Sequence, residues 1–293
     1  MLKIVVLLKQ TFDTEEKIVV RDGAIADDDV KFVINPYDEY ALEEALLLRE
    51  AHGGEIAVIT YGEDRSEEAL RTALALGADE AYRIEQDGLL EDNAVIAAAL
   101  AQVIRPMKPD LVLAGLFAVD SGAGSVALQV AERLGIAHAS AAVKVDIVPA
   151  GDPRLQELPH QAVAAEADGA PSALTAHAGR YALVERDAEG DVESVAVPLP
   201  ALITAQQGLN EPRYPSLPGI MKAKRKPLNR IRVDDIFDAA AGFPQARTER
   251  TALFPPPPRS AGRRLTGSPG EQAAALAGLL RQDGVIGASE PTR

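Results

Sequence analysis

The chain has 293 residues, of which 47% are hydrophobic and 25% charged, so it is long enough for one large α/β domain or two small ones. It has no cysteine, which excludes disulfides, thiolate nucleophiles and Cys-ligated zinc or iron–sulfur clusters. Its net charge of -14 and lack of tryptophan argue against nucleic-acid binding, and no apolar run approaches a membrane span or a signal peptide, so we expect a cytoplasmic protein.

Short apolar runs alternate with helical patterns through the first half of the chain. The runs predict buried strands at Leu2–Leu8, Glu55–Tyr61, Ala81–Ile84 and Asp110–Gly115. The patterns between them predict helices at Tyr37–Ala51, Ser66–Leu76 and Asn93–Arg105. On the first helix we expect Glu43, Glu44 and Glu50 to face solvent. This alternation predicts right-handed βαβ units in a doubly wound, mostly parallel, Rossmann-like α/β sheet, with a hairpin inserted at Asp22-Gly23.

From Ser140 the helical patterns stop and β-rich segments follow. The segments are Ala141–Val148, Ala173–His177, Tyr181–Glu185, Val192–Val197 and Ala201–Ala205. They predict antiparallel strands added to the sheet. After Asp235 the chain is irregular, with a proline-rich run at Phe254–Arg264 and an amphipathic helix near Gly270–Leu280. We therefore predict a nucleotide-binding domain over residues 1–234 and an extended C-terminal arm over 235–293 that packs on a partner subunit.

Ligands of open α/β sheets bind beyond the carboxyl ends of strands, which directs attention to the loops after the predicted strands. The loop after Gly115 places Ser121–Ser125, with sequence SGAGS, directly before an amphipathic helix. Small residues, free amides and the helix dipole at such a point suit a phosphate. The match of this loop to G-x-G-x-x-A is loose, because that fingerprint belongs after the first strand, and a loop that merely packs helix against sheet is the alternative.

A second loop near the same sheet edge contains Asn35, Pro36 and Asp38. Helix capping is the favoured interpretation of Asn35 and Asp38, and a wall of an adenosine pocket is the alternative. No catalytic or metal-binding set accompanies these loops, since the four histidines are scattered and G-x-S-x-G is absent. The residues thus predict a nucleotide pocket without catalytic apparatus.

The stretch Leu209–Leu228, LNEPRYPSLPGIMKAKRKPL, is basic within an acidic chain. Three of its prolines, Pro212, Pro215 and Pro218, surround the apolar Leu217, which has no periodic pattern around it. Its cations are Arg213, Lys222, Lys224, Arg225 and Lys226. A local basic segment of this kind favours contact with an acidic protein partner.

Four stretches of the chain resemble electron-transfer flavoprotein β subunits: INPYDEYALEEAL, LRTALALGADEA, LVLAGLFAVD and LNEPRYPSLPGIMKAKRKP. KQTFDTEEKI, at Lys9–Ile18, is similar to the bacterial, Gram-positive branch. The resemblance covers residues 1 to about 227. It implies a heterodimer whose separate α subunit holds the redox-active FAD while the β subunit holds AMP. The pair would carry electrons from dehydrogenases, such as acyl-CoA dehydrogenases, to a membrane quinone oxidoreductase, as an electron carrier and not an enzyme.

Two alternative functions stay open, and the resemblance also implies which residues form the sites. The alternative is an electron-bifurcating complex that oxidises NADH and holds a second FAD in place of AMP; a regulatory nucleotide-binding module is a third interpretation. The implied nucleotide contacts are Leu7, Asn35, Pro36, Tyr37, Asp38, Tyr61, Ala118, Val119, Asp120, Ser121, Gly122, Ala123, Gly124, Ser125, Val126, Ala127, Leu128 and Gln129. The implied recognition loop is 209–228, with partner contacts at Leu217, Pro218, Ile220, Met221 and Lys222. We expect AMP, because the SGAGS loop offers few side-chain donors for a pyrophosphate.

Overall fold

The computed structural model describes residues 1–26, 30–85, 92–158, 179–237, 244–259 and 261–287. Two compact units divide the chain, Met1–Leu253 and Phe254–Arg293. The predicted arm, 235–293, therefore begins within the first unit. No helix among the described residues is long and apolar enough to span a lipid bilayer.

The first unit is built on one large sheet with two small hairpins beside it. Its strands are β1 (Leu2–Leu7), β2 (Gln10–Phe12), β3 (Val20–Arg21), β4 (Ala24–Ile25), β5 (Phe32–Ile34), β6 (Gly54–Gly62), β7 (Glu80–Glu85), β8 (Leu111–Gly115), β9 (Ala137–Pro149), β10 (Arg180–Ala188), β11 (Asp191–Pro198), β12 (Ala201–Ala205) and β13 (Leu228–Ile231). Its helices are α1 (Pro36–His52), α2 (Glu67–Leu76), α3 (Asn93–Ile104), α4 (Val126–Leu134), α5 (Arg154–Glu157), α6 (Leu217–Ala223) and α7 (Val233–Ile236), with single 3₁₀ turns at Asp64–Ser66 and Arg105–Met107.

The strand order of the large sheet is β11-β10-β9-β12-β8-β1-β6-β7-β13. All neighbours from β9 to β13 in this order pair in parallel, and β10 and β11 add an antiparallel edge. The predicted mostly parallel α/β sheet with added antiparallel strands is confirmed. The hairpin at Asp22-Gly23 is confirmed too, because β3 pairs with β4 and both turn residues have positive φ.

The second half of the chain differs from the prediction in three ways. The segment Ala201–Ala205 is not an added antiparallel strand: it lies in parallel between β9 and β8, and all five residues are buried. Short helices α5, α6 and α7 occur where no helical pattern was seen, since one or two turns are too few to show a period. Strand β13, on the far edge, was missed, and the predicted strand Ala173–His177 lies outside the described residues.

Helices cover both faces of the sheet, and the alternation of β1 shows why. Its even-numbered residues pack with α1 and α2, through side chains such as Leu42 and Leu70. Its other face, with Val5 and Leu7, packs with α3 and α4. A strand buried on both faces reads as one continuous apolar run, which is why LKIVVLL predicted it. Strand directions are parallel through this region, so the carboxyl ends of β1, β6 and β8 meet at one edge of the sheet.

Two acidic residues of α1 are buried, contrary to the expectation of a solvent-facing row. Glu43 and Glu44 are 5% and 6% exposed, whereas Glu50 lies on the surface as expected. The segment that contains Asn210 and Arg213 lies over this part of α1 and pairs with both carboxylates. The helical pattern of α1 could not reveal this cover, because it comes from more than 160 residues further along the chain.

The second unit contains one described helix, α8 (Pro269–Gln282), which confirms the helix predicted near Gly270–Leu280. The Glu271 carboxylate accepts hydrogen bonds from the backbone and hydroxyl of Ser268 at 2.8 and 2.7 Å, which fixes the start of the helix. Residues 254–259, with the four prolines, have no regular hydrogen-bonded structure. Leu276 on α8 is 48% exposed.

Candidate functional site

A cleft of about 540 Å³ opens at the carboxyl ends of β1, β6 and β8. The sequence-predicted residues that line it are Leu7, Asn35, Asp38, Tyr61, Ala118, Asp120, Ser121, Ala123, Gly124, Val126 and Ala127. The other implied contacts lie in the same loops and helices without lining the cleft: Pro36, Tyr37, Val119, Gly122, Ser125, Leu128 and Gln129. The structure thus brings together, at one sheet edge, loops that the strand-end rule selected.

Asn35 and Asp38 join the start of α1 to the neighbouring loops and do not cap it. The buried Asn35 side chain donates to the carbonyl of Phe117 at 2.9 Å and accepts from the amide of Val119 at 3.1 Å. Asp38 accepts from the amides of Lys9 at 2.7 Å and Gly115 at 3.0 Å. Burial raises the pKa of the Asp38 carboxyl to about 7. The capping interpretation is wrong, because Asn35 makes no side-chain cap and Asp38 bonds the ends of two strands.

The last residue of β8 must be glycine for this junction to close. A Cβ on Gly115 would lie 2.7 Å from Cβ of Tyr37 and 2.8 Å from the amide nitrogen of Asp38, and would overlap the Asp38 carboxylate. The Tyr37 ring in turn packs on Phe117, with ring centroids 4.4 Å apart. The first turn of α1 therefore lies directly against the floor of the cleft.

The loop before α4 forms the polar end of the cleft. Gly122, with φ of 67°, closes a turn in which its amide donates to the carbonyl of Ala118 at 2.8 Å. Lys9 Nζ reaches this turn, at 2.7 Å from Asp120 Oδ1 and 3.4 Å from Ser121 Oγ. Helix α4 begins just beyond, after Ser125, which makes no side-chain cap. Lys9 and the first residue of α4 both line the cleft, and a cation together with an uncapped helix start suits a phosphate.

Another wall of the cleft was missed by sequence reasoning. Hairpin β2–β5 contributes Gln10, Thr11, Phe12 and Phe32, and the guanidinium of Arg65 lies over the Phe32 ring at 3.9 Å. Three-residue strands give no measurable alternation, so the sequence carried little signal for this wall.

Two buried polar atoms of the hairpin point to a ligand. Thr11 is 1% exposed, and its hydroxyl and the side-chain oxygen of Gln10 have no hydrogen-bond partner within the described ranges. A buried polar group without a partner costs about 1–3 kcal/mol. Both residues line the cleft, so a polar ligand bound there could supply the missing bonds. The residues present therefore fit a nucleotide, because polar groups such as Lys9, Gln10 and Thr11 and apolar side chains such as Leu7 and Ile59 line the same cleft.

A further wall of the cleft lies on the segment 244–253, which hydrogen bonds to Asp92 attach to the start of α3. One carboxylate oxygen of Asp92 accepts from the amides of Ala94 and Val95 at the start of α3, at 2.9 and 3.1 Å. The other accepts from the amides of Arg247 and Thr248 and from the Thr248 hydroxyl at 2.6 Å. The Thr248 hydroxyl, with these amides, lowers the pKa of Asp92 to about 2. Arg250 and Leu253, just beyond, line the cleft.

A second candidate site is the exposed helix α6 and the residues before it. The five predicted partner contacts, Leu217, Pro218, Ile220, Met221 and Lys222, are all exposed. Leu217 is 80% and Met221 67% exposed, and Tyr214 nearby is 94% exposed. Large apolar side chains grouped on a surface mark an interaction site more often than scattered ones do.

The fold defines a mostly parallel, Rossmann-like α/β protein with a cleft at the carboxyl ends of its central strands and a separate group of exposed apolar side chains on α6. The family model described as "Electron transfer flavoprotein domain" matches residues 22–167. The electron transfer flavoprotein subunit beta of Bacillus subtilis is 45% identical over 285 residues, covering 96% of this chain and 98% of the relative. That of Syntrophomonas wolfei is 37% identical, covering 96% of each chain. A subunit of the caffeyl-CoA reductase-Etf complex of Acetobacterium woodii is 32% identical, covering 97% of this chain and 100% of the relative.

The chain belongs to the electron transfer flavoprotein β subunits. The predicted resemblance is confirmed, and with it a role in electron transfer as part of a flavoprotein. A β subunit of this family has an α subunit as its partner and dehydrogenases as electron donors.

Proposed function

We propose that the cleft binds AMP. We also propose that the chain forms a heterodimer with an α subunit, with FAD bound at the heterodimer. This heterodimer would transfer electrons in the cytoplasm from dehydrogenases, such as acyl-CoA dehydrogenases, to a quinone oxidoreductase. The observation that carries the nucleotide part is the pair of buried polar atoms on Gln10 and Thr11, which line the same cleft as the start of α4.

The residues that would hold AMP divide by chemistry. Lys9 and the first amides of α4 would bind the phosphate, and Gln10 and Thr11 would pair with polar atoms of the nucleoside. FAD supplies the redox chemistry when bound, whereas AMP has none. The β nucleotide would therefore stabilise the fold around the junction of α1 and β8, since any ligand that binds the folded state adds to its stability.

Cofactor analysis of the heterodimer tests this proposal. The protein is co-expressed with its α subunit, purified and denatured, and the released nucleotides are separated and quantified. We expect one AMP and one FAD per heterodimer. Thr11→Val should lower the retained AMP, whereas Thr72→Val on α2, whose hydroxyl bonds the carbonyl of Glu68 away from the cleft, should leave it unchanged. Full retention by Thr11→Val would contradict the role given to this hydroxyl.

A second candidate function is electron bifurcation from NADH, with a second FAD in the cleft. It is favoured by the relative that belongs to a caffeyl-CoA reductase-Etf complex. Phe12 and Phe32, which line the cleft, could pack against a flavin ring. Two FAD and no AMP per heterodimer, together with NADH oxidation, would establish this function in place of the first.

We assign dehydrogenase docking to α6. Leu217 would insert into an apolar pocket of the dehydrogenase, because a single buried apolar anchor can supply much of a small interface's binding free energy. Lys222, Lys224 and Arg225 are exposed and would raise the association rate with an acidic partner. Lys226 does not share this role, since its ammonium group bonds the carbonyls of Leu74 and Ala78.

A further inference from the structure

The segment before α6 is anchored to α1 by an ion pair with a buried carboxylate. The guanidinium of Arg213 donates to Glu43 Oε1 from Nη2 at 2.8 Å and from Nε at 3.0 Å. Its Nη1 donates to Glu50 Oε1 at 2.6 Å. The backbone amide of Arg213 also donates to Glu43 Oε2, at 3.1 Å. Glu43 and Glu50 together keep the pKa of Arg213 above its ordinary value. Both the side chain and the main chain of Arg213 are therefore fixed to one face of α1.

Asn210 adds a second attachment to α1, at Tyr40 and Glu44. Its side-chain amide donates to the carbonyl of Tyr40 and to Glu44 Oε2, each at 3.0 Å. Burial raises the pKa of the Glu44 carboxyl to about 7. Residues 210–213 thus follow α1 in register, and the apolar side chains of Tyr214 and Leu217 come directly after them.

The C-terminal end of α6 is attached to α2. Arg71 Nη1 donates to the carbonyl of Ala223 at 2.8 Å and to that of Lys226 at 3.0 Å. Lys226 Nζ donates back to the carbonyl of Leu74 at 3.0 Å. Gly219 allows α6 to approach the carbonyl of Ala75 so closely that no Cβ would fit. The exposed docking residues therefore lie on a segment that is held at both ends.

We propose that Arg213 is a positioning residue for partner docking: by pairing with Glu43 and Glu50 it fixes Tyr214–Met221 in the conformation that the dehydrogenase binds. This inference rests on the proposed docking function of α6. A segment already held in its bound conformation loses less conformational entropy on association, so it binds more tightly at the same contact area. Arg213 itself needs no contact with the partner for this effect.

Arginine suits this position for a geometric reason. Its planar fork bonds two carboxylates at once, whereas a lysine offers one point charge that can satisfy only part of the set. Because Glu43 is buried, removal of Arg213 alone would leave a carboxylate without its partner and would also destabilise the fold. Replacing both members by neutral residues removes the bonds of the guanidinium without leaving that charge.

The test compares variants of the αβ heterodimer in electron transfer from a reduced acyl-CoA dehydrogenase. For the double variant Glu43→Gln/Arg213→Gln we expect the KM for the flavoprotein to rise about tenfold with kcat within about twofold of wild type, because positioning acts on association. Hydrogen exchange of the amides in 209–221 should become faster. Arg213→Lys, which keeps one charge, should raise the KM less than the double variant does. FAD and AMP contents should not change.

Two further variants separate this inference from the docking function itself. Arg154 pairs with Asp146 and Asp152 on another part of the sheet, so Arg154→Gln should leave KM and the exchange of 209–221 unchanged. Leu217→Ala tests docking directly. If Leu217→Ala raises KM while the double variant leaves both KM and exchange at wild-type values, the positioning role is overturned and docking stands. If Leu217→Ala itself leaves KM unchanged, the docking function is overturned, and the positioning role with it.

Discussion

Asp92→Asn should weaken the attachment of residues 247–253 to the cleft and lower the stability of the protein. The carboxylate of Asp92 accepts from the start of α3 on one side and from Arg247 and Thr248 on the other. An asparagine would keep one oxygen but would turn an amide donor toward one of these sets. The pKa of Asp92 falls from 3.8 to about 2 in the folded protein. A difference of this size corresponds to about 2 kcal/mol of stabilisation by the ionised form.

The pH dependence follows from the direction of this shift. Because the folded-state pKa lies below the unfolded one, the stabilisation is complete above about pH 4 and is lost as the pH falls toward 2. Urea unfolding of the heterodimer at fixed concentration should therefore show a loss of about 2 kcal/mol for Asp92→Asn at pH 7 and a smaller loss at pH 3.

The matched control is Asp152→Asn, whose carboxylate bonds Arg154 on the surface. We expect it to leave the urea midpoint unchanged, since exposed ion pairs contribute little. Equal midpoints for Asp92→Asn and wild type at pH 7 would refute the role of the charge. An equal loss of unfolding free energy at pH 7 and pH 3 would show that the effect comes from the changed hydrogen-bonding groups and not from the charge of Asp92.

Three further predictions concern the cleft, the docking helix and the arm. Gly115→Ala should lower both the melting temperature and the retained AMP, because its Cβ overlaps the first turn of α1; an unchanged melting temperature would show that α1 can shift freely. Leu217→Ala should cut the rate of electron acceptance at limiting concentration by about tenfold, since burying a leucine is worth roughly 1.5–3 kcal/mol, and equal rates would show that Leu217 does not anchor the dehydrogenase. Deletion of 254–293 should weaken assembly with the α subunit, and quantitative co-purification of the shortened chain would refute docking of the arm.

The sequence by itself determined the elements whose signal is local. The continuous apolar run of β1 predicted a strand buried on both faces, and helical spacing predicted α1, α2 and α3 close to their observed bounds. Parallel strands joined by helices bring their carboxyl ends to one edge, so the loops around Asn35 and Ser121–Ser125 could be placed together before any coordinates. The stretch Leu209–Leu228, with its motif, also located the exposed residues of α6.

Only the tertiary structure decided which distant segments meet. Glu43 was expected to face solvent and Asp92 carried no prediction, yet their partners, Arg213 and Thr248, lie more than 150 residues away in sequence. The spacing of apolar residues along a helix or strand predicts whether a residue is buried only when no distant segment covers that element. The burial of Glu43, the burial of Thr11 and the central position of β12 were set by chain segments that return from elsewhere, and no local pattern could encode them.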